Sequence, residues 1–269
     1  MRAIYEPRGR AREYSPLALD IYNGCDHCCS YCFVPILRKR FGQDFPINPR
    51  PRKGILEEVK QTAHKYSRDK QILLSFSGDP YCQADIEFAM TRKILKVLLK
   101  YQATIAILTK GRISLWDKDL FKLFEQIKVG ATLTCDNEKD SLVWEPYAAL
   151  PADRISTLKK LHENGIKTWV SFEPVIYPEQ TLHLIDLTHE FVNHYKIGKM
   201  NYREMDIDWW MFGVAVIEKL NHYGKPFYIK NSLAPFIPKE LMNAEQRDMD
   251  FLSLRGKKDA SDKLSQTIC

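Results

Sequence analysis

Gln71-Ile-Leu-Leu-Ser-Phe-Ser77, a run of helical period over 84–101, and Ala103-Thr-Ile-Ala-Ile-Leu-Thr109 follow one another closely. The two outer stretches are short and almost continuously apolar, as strands covered on both faces are. The middle one places Ile86, Ala89, Met90, Ile94, Val97 and Leu98 on one side of a helix. Strand, helix, strand is the unit of a parallel sheet with its helices packed outside. The pattern repeats outward: residues 17–22 predict an earlier strand, and 129–134, 168–173, 194–200 and 226–230 predict later ones. Helices are expected over 115–127, 151–164, 179–193 and 209–223, with Pro151 suited to opening one and Gly165 and Gly224 to closing two. The expected class is α/β, a partial (β/α) barrel of six or seven parallel strands with helices outside; an open sheet fits less well. In both forms chemistry belongs at the C-terminal strand ends. Ser77-Gly-Asp-Pro80, Thr109-Lys-Gly111, Thr132, Thr134, Glu173 and Lys230 stand there. Residues 1–235 are expected to form the core domain, and 236–269 a C-terminal helix and polar tail, charged from about 254.

The chain has 269 residues, 45% of them hydrophobic, enough for one large domain with a substantial core. No run approaches the ~18 apolar residues of a membrane span, and the first residues lack the apolar stretch of a secretory signal. No membrane contact and a cytoplasmic location are therefore the default expectations. Residues 1–53 carry ten Lys or Arg against five acids, so most of the net charge of +6 lies in that segment. Four of the seven cysteines fall between 25 and 32, which resembles a metal loop in a reducing compartment more than a disulfide framework.

That loop is Asn23-Gly-Cys-Asp-His-Cys-Cys-Ser-Tyr-Cys-Phe33. Structural zinc takes four ligands, usually as two separated pairs. Here the four cysteines span eight residues and no second pair follows, so zinc is disfavoured. A purely packed set is also disfavoured, since Gly24 and Pro35 interrupt the helix that would align it. Thiolates of an iron–sulfur cluster fit better. Cys25, Cys29 and Cys32 are then the ligands, three corners of a [4Fe–4S] cluster with one iron left open. Cys28 falls outside the spacing and is expected to be a spacer. An electron carrier would need a fourth ligand, for which Cys82 or Cys135 would have to be brought in by folding.

C-x3-C-x2-C followed by an aromatic resembles the signature of radical S-adenosylmethionine enzymes. The longer string is similar to the variant of the branch related to spore photoproduct lyase. The resemblance continues through Ser77-Gly-Asp-Pro-Tyr81, Thr91-Arg92, Leu108-Thr-Lys110, Gly130-Ala-Thr-Leu-Thr134, Trp144-Glu-Pro146, Arg154, Val170-Ser-Phe-Glu-Pro174, Tyr195-Lys-Ile-Gly-Lys199 and Phe227-Tyr-Ile-Lys230, covering about residues 4–234. It implies that S-adenosylmethionine chelates the open iron and is cleaved reductively to a 5′-deoxyadenosyl radical. It also implies cofactor-binding roles for Phe33, beside cluster and adenine, for Ser77, Gly78 and Asp79, toward the amino group, and for Lys110, toward the carboxylate. Thr132 and Thr134 would hold carboxylate or ribose, and Glu173 ribose or substrate. Each has a bland counterpart: a turn at Gly78-Asp79-Pro80, a solvated strand-end Lys110, a structural ion pair at Glu173. An external donor of flavodoxin or ferredoxin type is implied. Nucleic acid is the leading substrate class, with peptide and small metabolite left open. One departure stands out: where the lyase carries a hydrogen-donating cysteine near the end of its second strand, Phe76 stands here. A non-catalytic cluster protein, electron carrier or redox sensor, is the alternative.

Overall fold

The strand at Ile72–Leu74 is wholly buried, and its two sides face different environments. In the computed structural model, which describes residues 2–66 and 68–254, it lies inside an eight-stranded sheet. The strands are β1 Ile4–Tyr5, β2 Leu17–Leu19, β5 Ile72–Leu74, β6 Ile105–Thr109, β7 Ile127–Thr132, β8 Lys167–Val175, β9 His194–Lys199 and β10 Phe227–Ile229, paired in that order. A separate ribbon pairs β3 Tyr22–Asn23 with β4 Arg50–Pro51. Seven strands from β2 to β10 run parallel, and β1 adds antiparallel to β2 at one edge. β1 and β10 do not pair, so the barrel is partial.

The helices are α1 Phe33–Lys39, α2 Ile55–Thr62, α3 Gln83–Phe88, α4 Met90–Leu99, α5 Lys118–Phe121, α6 Glu138–Trp144, α7 Pro151–Glu163, α8 Pro178–Thr188 and α9 Trp209–His222. Two apolar clusters occupy the outer layer. Leu74, Ile105, Ile107 and Val129 join Val59 and Ile94 in one, and Val170, Phe172, Tyr195 and Ile197 join Leu184 and Val216 in the other. The opposite strand face lines the lumen and is largely polar. At its lower end His194 stacks on Trp169, with ring centroids 5.6 Å apart, and Lys128 lies over the same indole at 5.4 Å. Gly130 is required beside them, because a Cβ there would lie 2.5 Å from the Trp169 ring. Tyr14, Ser171 and Lys196 fill the next level, and Glu173 and Lys230 the one above.

Three expectations need correction. The run 84–101 is two helices, because Ala89 takes a left-handed φ of 45° and ends α3 where α4 begins. The expected helix 115–127 is only a 3-10 turn, Ile113–Asp117, and the single turn α5, with Ile127 already opening β7. Residues 17–22 are split between β2 and β3, because Asp20 leaves the sheet to bind the turn after β5.

No α-helix lies among the described residues after 235. Residues 236–254 contain the 3-10 turns Lys239–Leu241 and Glu245–Arg247 and run beside β10 to the lower end of the barrel. Arg247 donates to the outward carbonyl of Ile229, Lys128 donates to Leu252 O, and Leu254 N donates 3.0 Å to Gln71 Oε1. The charged tail falls outside the described residues. Among the described residues no helix is long and apolar enough to cross a membrane.

Candidate active site

The cysteine loop hangs from the upper end of β2 and is held at both ends. Gly24 sits at φ 101°, and a Cβ there would lie 2.3 Å from Pro46 O. Cys25 N donates 3.0 Å to the same carbonyl. At the other end Cys32 N donates 3.0 Å to Cys29 O, and Cys32 caps α1 with Phe33 as its first residue. Cys25, Cys29 and Cys32 are half-buried free thiols; Cys28 is exposed, at a left-handed φ of 50°. Burial pushes the Cys29 thiol up to about 11 and raises Cys25 and Cys32 too. Lys110 opposes that rise at all three. Among the described residues no three Cys, His, Asp or Glu side chains converge on a single-ion site. Separated thiols suit a cluster in which each takes a different iron.

The turn after β5 is built by carboxylates. Asp20 accepts from Phe76 N at 2.7 Å, Ser77 N at 2.8 Å and Ser77 Oγ at 2.7 Å. Asp79 accepts from Tyr81 N at 2.8 Å, Thr109 Oγ1 at 2.6 Å and Lys110 N at 2.7 Å. The hydroxyl of Ser77 and the carboxylate of Asp79 are thus engaged within the protein. Gly78 packs against the cysteine loop: a Cβ there would lie 2.9 Å from Gly24 O. His27 is buried with Nδ1 3.6 Å from Asp79 Oδ2, and burial lowers its pKa while Asp79 opposes the shift.

Lys110 leaves the top of β6 half-buried, its ammonium 5.6 Å from the Tyr31 ring centroid, with no carboxylate at ion-pair distance among the described residues. Thr132 ends β7 with its carbonyl accepting from Arg154. Two residues on, the Thr134 hydroxyl is enclosed beside the Cys135 thiol. Glu173 is engaged. Its Oε2 lies 2.5 Å from both Lys230 Nζ and Tyr14 Oη, and its Oε1 accepts from Asn201 at 3.2 Å. The ion-pair reading of Glu173 is what the structure contains.

Two residues to which the sequence assigns no role stand beside the loop. Glu145 accepts from the Tyr31 hydroxyl and forms a 2.5 Å ion pair with Arg154; both charged side chains are 1% exposed. Nothing local marks them, since Tyr31, Glu145 and Arg154 meet only through the excursion between β7 and α7.

A family model of the Radical SAM superfamily matches residues 19–192. The chain belongs to that superfamily. An uncharacterized protein of Methanocaldococcus jannaschii is 33% identical over 190 residues, 68% of this chain and 69% of that one. An uncharacterized protein of Acidianus two-tailed virus is 29% identical over 177 residues, 61% of this chain and 57% of the other. Two solved structures share the fold. A spore photoproduct lyase variant has TM-score 0.62 at 12% identity over 80% of this chain and 76% of that one. SuiB of Streptococcus suis bound to its precursor peptide has TM-score 0.60 at 15% identity over 86% of this chain and 54% of the other. This chain therefore spans about half of SuiB.

Members of the radical SAM superfamily are enzymes that use a [4Fe–4S] cluster and S-adenosylmethionine. The residues present fit both groups. Three of the free thiols in the loop have the cluster spacing, and beside it stands an ammonium with no carboxylate at ion-pair distance among the described residues.

Proposed function

We propose that this chain is a radical enzyme whose substrate is nucleic acid, docked across the upper mouth of the barrel. Cys25, Cys29 and Cys32 would hold the cluster. Lys110 and Thr134 would take the carboxylate of S-adenosylmethionine, as a point charge and a hydrogen-bond donor. When bound, the two groups supply a 5′-deoxyadenosyl radical after one-electron cleavage of the sulfonium. The protein orients the bound molecule and keeps water from it. Beneath it the lumen is closed by Tyr14, Phe76, Ser171, Glu173 and Lys230, whose polar atoms bond one another. The reductant is external, since the chain carries one cluster motif; the basic segment around Arg38 and Lys39 suits an acidic flavodoxin or ferredoxin.

The observation that carries the substrate reading is a rim of arginines on aromatic rings. Arg10 and Arg40 lie over Tyr202, at 5.8 and 5.5 Å, and Arg203 lies over Trp144 at 5.5 Å. None of the three arginines has a carboxylate partner among the described residues. The rim borders the site: Trp144 O accepts from Ser30 N of the cysteine loop, and Asn201 bonds both Arg10 and Glu173. Uncompensated guanidinium groups beside aromatic faces suit phosphates and unstacked bases. A lyase structure of the same fold holds a dinucleoside spore photoproduct. Phe76 lies edge-on to Tyr14 at 5.6 Å, and in the resemblance it stands near the place of the lyase cysteine. The proposed reaction is hydrogen abstraction without that thiol's return step.

The test is anaerobic reconstitution, reduction with dithionite and chromatographic detection of 5′-deoxyadenosine, with deuterium transfer into it from labelled DNA, RNA or peptide pools. Cys25→Ala, Cys29→Ala and Cys32→Ala should each abolish 5′-deoxyadenosine, whereas Cys28→Ala should keep the cluster. A cluster that is reduced but yields no 5′-deoxyadenosine would support an electron carrier instead. Deuterium arriving only from peptide would overturn the nucleic-acid reading.

A further inference from the structure

Four contacts tie the excursion between β7 and α7 to the site. Ser30 N donates 2.9 Å to Trp144 O, the Tyr31 hydroxyl donates to Glu145, Tyr147 N donates 3.4 Å to His27 O, and Ala149 N donates 2.9 Å to Lys110 O. Tyr31 stands between the second and third thiols. Its hydroxyl meets the Glu145 carboxylate and its ring meets the Lys110 ammonium. Arg154 pins Glu145 from behind and is itself fixed by Ala149 O at 2.7 Å and Thr132 O at 2.9 Å.

Stability alone is a weak reason for this arrangement. A desolvated ion pair commonly returns less than an apolar replacement of the same shape would. Charges held in a dry shell do act strongly on a neighbouring redox group, because little water screens them. The potential of an iron–sulfur cluster is set by surrounding charge, hydrogen bonds and burial. Around Tyr31 stand two cations, Lys110 and Arg154, and one anion, Glu145. Within the loop, His27 lies 3.7 Å from Asp26 and 3.6 Å from Asp79, which belongs to the turn after β5.

We infer that the buried pair Glu145–Arg154 and the half-buried Lys110 form a charge set, seated on Tyr31, that fixes the reduction potential of the cluster held by Cys25, Cys29 and Cys32. They act as positioning residues toward the cluster, and the inference rests on the cluster reading above. Adding an electron makes the cluster more negative, so deleting the anion must favour the reduced form and deleting a cation must disfavour it.

The experiment is a redox titration of the reconstituted protein followed by electron paramagnetic resonance, without S-adenosylmethionine. Glu145→Gln should raise the reduced-to-oxidised ratio at fixed potential about tenfold, ~59 mV for one electron. Lys110→Met should lower it by the same order, and Lys110→Arg should restore the wild-type value. If Glu145→Gln fails to fold, the Lys110 pair still decides the matter. Cluster yield falling alike in both variants with unmoved potentials would overturn the inference, as would shifts of the same sign. Failure of the wild type to assemble any cluster would instead overturn the cluster reading itself.

Discussion

Asp79 accepts from three donors at 2.6–2.8 Å. It organises the strand-end turn. Asp79→Asn should therefore destabilise the fold, because the amide would set a donor against donors. A loss of about 2–3 kcal/mol is expected, read as a lowered midpoint in chemical denaturation with an unchanged slope; an unchanged midpoint would show the three bonds to be dispensable. The same residues mark how far the sequence was legible. The three thiols followed from spacing alone, since one loop carries them. The engagement of Asp79 did not, because two of its donors arrive from β6, about thirty residues later. Glu173 shows the same limit. Its position at a strand end was readable, but its ion pair emerges only with Lys230 and Tyr14 in place.

At the scale of elements, apolar runs located every parallel strand to within a few residues. β1 was not foreseen, being only two residues long. The helix errors have a backbone cause. Ala89 has a helix former's side chain and an apolar place in the periodic run, yet sits at φ 45°. A left-handed alanine costs roughly 1–2 kcal/mol that glycine does not pay, and periodicity does not record it. Ala89→Gly is expected to stabilise the chain by about 1 kcal/mol, visible as a rise in thermal midpoint by calorimetry. A fall would mean that the lost methyl contact outweighs the relieved backbone. The 115–127 error arose differently: Leu115, Leu120, Phe121 and Phe124 have helical spacing but pack into the outer cluster from a chain of short turns.

The whole molecule places cations inside a barrel. Burial pushes the Lys196 ammonium down to about 7, with Lys230 adding to the shift and Glu13 opposing it. In the unfolded chain a lysine titrates near ~10.4. Between those values the unfolded chain binds the extra proton, so stability rises with pH across that window, and the full cost is present below pH 7. Lys196→Met should flatten the rise of thermal midpoint from pH 7 to about 9.5 relative to wild type. Parallel profiles would show that Lys196 stays protonated throughout. Removing the amine also removes its bonds to Glu13 O and Tyr14 O, so the comparison rests on the slope rather than the height of the profile.

The stretch beside β10 has a consequence in time as well as in space. Arg247 occupies the outward carbonyl of Ile229, and Leu252 O receives the Lys128 ammonium from the floor of the barrel. Both partners are synthesised after β10. During synthesis there is an interval in which the sheet is complete but its last edge is bare, the state in which edge-to-edge pairing with a neighbouring nascent chain is easiest. The other edge ends in β1, too short to offer a long ladder. The hazard is thus confined to one side of the molecule and to the interval before residues 247–252 are in place.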